Sequence, residues 1–86
     1  MISLGKAEFW RLYHRLPPDV RAQARQAYDL FMANPDHPSL RFKKLKGPGN
    51  FWSVRFGGEY RAVCEREGDR VVWLWIGTRQ VFGKLF

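Results

Sequence analysis

The sequence predicts an α+β domain in which an N-terminal helical hairpin packs on an antiparallel sheet of three or four strands. Three observations carry this expectation. Apolar side chains recur at helical spacing over the first forty residues. The period falls to two beyond Leu40, and Gly- or Pro-containing clusters separate the resulting segments. With 86 residues, 45% hydrophobic and 16% aromatic, the chain can fill one core but not two, so residues 1–86 are expected to form a single domain.

The first helix is predicted over residues 6–16, where Phe9, Leu12, Tyr13 and Leu16 fall at i, i+3, i+4 and i+7. Pro17-Pro18 ends it, because the residue before a proline is pushed out of the α region. Pro18 then suits the first turn of a second helix, and Asp19 complements its dipole. That helix runs to about Ala33, with Val20, Ala24, Ala27 and Phe31 on one face, and Asn34-Pro35-Asp36-His37-Pro38 stops it. A short strand is predicted over 40–46, ended by Gly47-Pro48-Gly49-Asn50. Over 51–56, Trp52, Val54 and Phe56 alternate with Phe51, Ser53 and Arg55. Gly57-Gly58 signals a hairpin turn into a strand over 60–66. After the turn at Glu67-Gly68-Asp69, residues 70–76 read as a central strand, with Trp73 and Trp75 on one face packing against the helices. Residues 77–86 are expected to be a short tail. The predicted core is Phe9, Leu12, Val20, Ala24, Ala27, Phe31, Val54, Val63, Val72, Leu74 and Trp75.

Composition narrows the function. A single cysteine, Cys64, excludes an internal disulfide or a cysteine-based zinc site, and its place on an apolar strand suggests an inert buried thiol. His14 and His37 lie too far apart for a metal motif, so neither metal nor cofactor is expected. The longest apolar run, Val71 to Ile76, is far short of the roughly 20 residues of a membrane span, and residues 1–6 lack a signal-peptide core; a cytoplasmic location is expected. The net charge of +7 is uneven. Residues 1–40 carry five basic and four acidic side chains, and residues 41–86 carry ten and four. A basic, β-rich half suits a polyanion, either nucleic acid or an acidic protein.

The series Lys44-Leu45-Lys46-Gly47, Trp52-Ser53-Val54-Arg55, Tyr60-Arg61-Ala62 and Val72-Trp73-Leu74-Trp75-Ile76-Gly77 resembles the RelE/ParE superfamily of toxin–antitoxin toxins. The helical segments around Phe9-Trp10-Arg11-Leu12-Tyr13 and Asn34-Pro35-Asp36-His37-Pro38-Ser39-Leu40 resemble one compact subgroup of it. The first strand of many relatives reads as reduced or absent here, Met1 to Leu4 being short. The resemblance implies a RelE-like fold and a ribosome-dependent mRNA endonuclease that inhibits translation. It implies metal-independent cleavage by the 2′-hydroxyl, with partners in the ribosome, mRNA and an acidic antitoxin, and no small-molecule substrate. Carried over by position, Arg61 would contact the phosphate, with Arg55 and Arg79 beside it as catalytic residues. Lys43, Lys44 and Lys46 would contact the RNA backbone, and Phe82 would stack on a base. Two positions depart from the family: Arg79 stands where a histidine is usual and Phe82 where a tyrosine is. Arginine cannot serve as general base, which leaves Lys43, Lys44, Lys46 or solvent for that role. The same departures keep open a non-enzymatic alternative, a ParE-like gyrase inhibitor or a decayed toxin that binds only its antitoxin or RNA.

Overall fold

The computed structural model describes residues 1–86. Strand β1 (Ile2–Gly5) leads into helix α1 (Ala7–His14), then α2 (Pro18–Ala33), a 3-10 turn at Pro38–Leu40, and strands β2 (Lys43–Lys44), β3 (Phe51–Phe56), β4 (Tyr60–Glu67) and β5 (Arg70–Thr78); helix α3 (Arg79–Leu85) closes the chain. The five strands form one sheet in the order β1-β5-β4-β3-β2. All neighbours are antiparallel except β1 and β5, which run parallel.

Helix α2 starts at Pro18, as the proline pair predicts. Its Val20 and Phe31 are buried together with Phe9 and Tyr13 of α1. They meet Val54, Phe56, Ala62, Cys64, Val71, Trp73 and Ile76 from one sheet face, and this is the core. Leu12, Ala24 and Ala27 pack against it while remaining partly exposed.

Four expectations need correction. The N-terminal strand is present: Ile2 N–H donates to Asp69 O at 2.8 Å, Lys6 N–H to Trp73 O at 3.0 Å, and Trp73 Nε1 to Ser3 Oγ at 2.9 Å. These bonds make the sheet five-stranded and mixed. The strand predicted over 40–46 shrinks to two residues, because His37 caps the 3-10 turn before it: its Nδ1 accepts from Ser39 N–H at 3.2 Å. The tail is a helix, α3, with Thr78 Oγ1 accepting from Val81 N–H at 3.3 Å.

The fourth correction concerns the two tryptophans. Val63 pairs with Trp75 but Cys64 pairs with Trp73, so Leu74 is an extra residue in β5, a β-bulge. A bulge breaks the alternation of side chains. Trp73 therefore enters the helix-side core, and Trp75 emerges on the opposite face, where Phe82 and Phe86 of α3 pack on it at centroid distances of 6.3 and 5.7 Å. Leu74 and Trp75 are only half-buried, contrary to the predicted core list.

Cys64 is fully buried, and burial pushes its thiol up to about 12. An unfolded thiol ionises near 8.5, so between about pH 8.5 and 12 the folded chain keeps a proton that the unfolded chain releases. Stability must then fall as pH rises, by up to about 1.4 kcal/mol per pH unit from this group. Comparing the pH dependence of denaturant unfolding for wild type and Cys64→Ala isolates the contribution, and parallel curves would refute it. In the native state at pH 8 the thiol should resist alkylation.

Candidate nucleic-acid interface

The β3–β4 hairpin builds the site. Gly57 and Gly58 both take positive φ, 60° and 75°, which is open to glycine without strain, in a three-residue loop, Gly57 to Glu59, between the paired Phe56 and Tyr60. This turn sets the register in which Arg55 directly opposes Arg61. Both project from the sheet face turned away from the helical hairpin, since Val54 and Ala62, one residue along, face the core. Like charges directly opposite one another destabilise a sheet, so the pair is a local cost that a bound anion would relieve.

Arg61 is held from its own hairpin: Nη1 donates to Tyr60 O at 2.9 Å and Gly58 O at 3.3 Å. Partial burial pulls its guanidinium below the ordinary arginine value, the charges of Arg55 and Arg79 add to this, Glu59 opposes them, and Arg41 adds a smaller share. The side chain is thus a desolvated cation among other cations. Arg79 opens α3, and its backbone N–H donates to Glu59 O at 2.7 Å. Its Nη2 lies 3.9 Å from Glu59 Oε2. Glu59, Tyr60, Thr78, Arg79 and Gln80 line a polar cleft of about 270 Å³.

Trp75 lies on the same sheet face as Arg61. Its indole lies across Gly77, the residue paired with Arg61; a Cβ at Gly77 would come within 2.7 Å of the ring. Any side chain there would displace Trp75, on which Phe82 and Phe86 pack.

Arg55 therefore lies opposite Arg61, and the Arg79 charge reaches Arg61. The lysines divide. Lys43 pairs with Ser53 and shares its face with Arg55. Lys44 pairs with Trp52 and belongs to the opposite face, and Lys46 follows the strand in an exposed loop. Phe82 is half-buried, with its ring stacked on Phe86 at 5.4 Å and 26°. Two further site residues, Glu59 and Arg41, were not singled out from the sequence. An acidic residue immediately before Tyr60-Arg61 in a basic half was a usable signal for Glu59; Arg41 carried none. No three His, Cys, Asp or Glu side chains converge as metal ligands, and no helix is long and apolar enough to cross a membrane. A second, apolar cleft, lined among others by Leu4, Phe9, Trp10, Tyr28 and Trp73, lies between α1, α2 and the sheet, away from Arg55, Arg61 and Arg79.

Residues 18–83, most of the chain, match the family model of the ParE-like toxin domain. The chain belongs to this family. The fold of this toxin domain is also that of solved RelE-type structures. It is similar to the RelB–RelE antitoxin–toxin complex from Methanococcus jannaschii, with 21% identity, 96% of this chain and 98% of that chain covered, and a TM-score of 0.76. It is similar to the toxin–antitoxin complex RelBE2 from Mycobacterium tuberculosis, with 23% identity, coverage of 91% and 96%, and a TM-score of 0.71. It is similar to the YoeB/ParE toxin from Agrobacterium tumefaciens, with 19% identity, coverage of 92% and 99%, and a TM-score of 0.71. No curated protein matches the toxin domain in sequence.

Proposed function

We propose that this toxin domain is a metal-independent endoribonuclease that cuts mRNA on the ribosome in the cytoplasm, stops translation, and is held in check by an acidic antitoxin. The observation that carries the reading is the opposed pair Arg55–Arg61, with Arg61 partly buried and within reach of the Arg79 charge. Cleavage by the neighbouring 2′-hydroxyl forms the bond from O2′ to phosphorus, breaks the bond to O5′, and leaves a cyclic phosphate. The phosphorane passed on the way carries extra negative charge, which fixed guanidinium donors in a partly desolvated site stabilise. Arg61 and Arg55 face the non-bridging oxygens, and Arg79 stands by the leaving O5′. Glu59 is the carboxylate at the site able to accept the 2′-hydroxyl proton, and the departing O5′ takes a proton from solvent. Relatives of the same fold are solved with RelB-type antitoxins, which supports an antitoxin partner here; a net charge of +7 favours an acidic one.

Expression without an antitoxin, followed by primer extension on cellular mRNA, tests the reading. The expected result is growth arrest with codon-phased cuts that vanish in Arg61→Ala. Normal growth with intact mRNA would remove it. The second reading, inhibition of DNA gyrase without RNA cleavage, draws on the ParE-like family match and on Phe82, whose ring is already stacked on Phe86. Blocked supercoiling with intact mRNA would select it.

A further inference from the structure

Most arginines of this chain have an assignment within it. Arg11 binds Glu8, Arg21 donates to Leu16 O, Arg25 to Tyr13 OH and Arg70 to Glu67, and Arg66 lies over the Trp52 ring. Arg41 is different. Its side chain, like those of Arg15 and Arg55, engages no hydrogen-bonding or ionic partner, but its backbone alone among these is tightly specified. It is the one residue other than glycine with positive φ, at 46°. For an arginine this left-handed conformation is unfavourable and persists only where the surroundings impose it. Those surroundings are Leu40, 2% exposed, and Phe42, whose ring packs 4.7 Å from Trp52 and 5.0 Å from Phe31. A buried leucine and a half-buried, ring-packed phenylalanine thus flank an unpartnered guanidinium.

Its position follows from the sheet. Lys43 pairs with Ser53. Ser53 is two residues from Arg55 on β3, and Arg55 opposes Arg61 on β4, so Lys43, Arg55 and Arg61 form a basic row on one face of β2, β3 and β4. Arg41 stands two residues before Lys43, where its charge reaches Arg61. Two strand spacings, about 10 Å, separate β2 from β4. That is more than one phosphate can bridge, and it leaves room for the next phosphate of an extended strand.

We propose that Arg41 and Lys43 form a second phosphate subsite, which holds the phosphodiester adjacent to the one at Arg55, Arg61 and Arg79 on a single-stranded RNA. The assignment rests on the ribonuclease reading and extends it: the toxin domain grips at least two consecutive phosphates of an unpaired strand laid across β2, β3 and β4. Arg61 feels the Arg41 charge, in keeping with a continuous basic track. The subsite positions the strand and does not take part in bond breaking.

The test is binding of a fluorescent, fully 2′-O-methylated single-stranded RNA, in which the nucleophile is blocked, followed by anisotropy over a salt series. Arg41→Gly removes the guanidinium and also relieves the left-handed backbone, so it should raise Tm while weakening RNA binding about fivefold. The slope of log affinity against log salt should fall by about 0.7, the value of one phosphate contact on a single strand. Arg41→Lys, which keeps both charge and strain, should retain the slope. A one-phosphate dinucleotide, followed by NMR titration, should bind wild type and Arg41→Gly alike. RNA binding unchanged in affinity and slope in Arg41→Gly would overturn the subsite and leave the ribonuclease reading standing. Failure of the wild type to bind the RNA even at low salt would overturn the subsite, whereas the ribonuclease reading falls only if cellular mRNA stays intact.

Discussion

Arg61→Ala should lower the single-turnover rate of mRNA cleavage on programmed ribosomes by about 10²–10³-fold, the usual loss when one fixed donor to a transition-state anion is removed. Ribosome affinity should change by less than about threefold, because Arg61 is one of fifteen basic side chains and its distinguishing feature is placement. Its Nη1 is bound to the carbonyls of Tyr60 and Gly58, so its geometry is set before substrate arrives. Partial burial strengthens its action on a developing negative charge beyond that of a solvated arginine. Arg61→Lys should recover little, since a point charge cannot reproduce a two-pronged grip on phosphate oxygens. Equal losses in rate and affinity would make Arg61 a binding residue only. An unchanged rate would remove it from the site.

Phe31→Ala should destabilise the fold by about 3–5 kcal/mol, a large share of the 5–15 kcal/mol typical of a domain. Phe31 is 1% exposed and sits at the centre of the core, edge-on to Trp73 at 5.4 Å and to Phe42 at 5.0 Å. Truncation leaves a void between α2, β5 and the segment before β2 that these rigid rings cannot close. At about 4–8 °C per kcal/mol for a chain of this size, thermal unfolding by circular dichroism should show Tm lower by at least about 12 °C. A drop below about 4 °C would mean that the core repacks around the gap. Phe42 adjoins Arg41, so the same change should loosen the β2 end of the basic row before the hairpin that carries Arg55 and Arg61.

The site was legible in the sequence where its geometry is local. Arg55 and Arg61 flank a Gly-Gly turn signal, which puts them on neighbouring strands; the loop takes Glu59 as a third residue, and this sets Arg55 opposite Arg61, where a two-residue turn would set it opposite Tyr60. Arg79, directly after β5, reaches the same place through one backbone bond to Glu59. Lys44 pairs with Trp52 and so lies on the face opposite Lys43, because adjacent strand residues face opposite ways. Arg41 left no trace because its placement comes from a left-handed backbone held by packed neighbours, and composition does not record that.

The helices α1 and α2 and the strands β3 and β4 follow from periodicity and turn residues alone, because their hydrogen-bonding partners and buried faces are set by residues a few positions away. Three features waited for tertiary contacts. Strand β1 exists through parallel pairing with β5, Ile2 opposite Arg70, and four residues have no strand identity until that partner is in place. Helix α3 is only seven residues, too short to be stable by itself, and it forms because Trp75 offers Phe82 and Phe86 a surface. Trp75 is there because a single bulged residue, Leu74, turns the last part of β5 over. Side chains alternate along a strand, so one extra residue exchanges the two faces, and strand periodicity cannot show where the sheet takes it up.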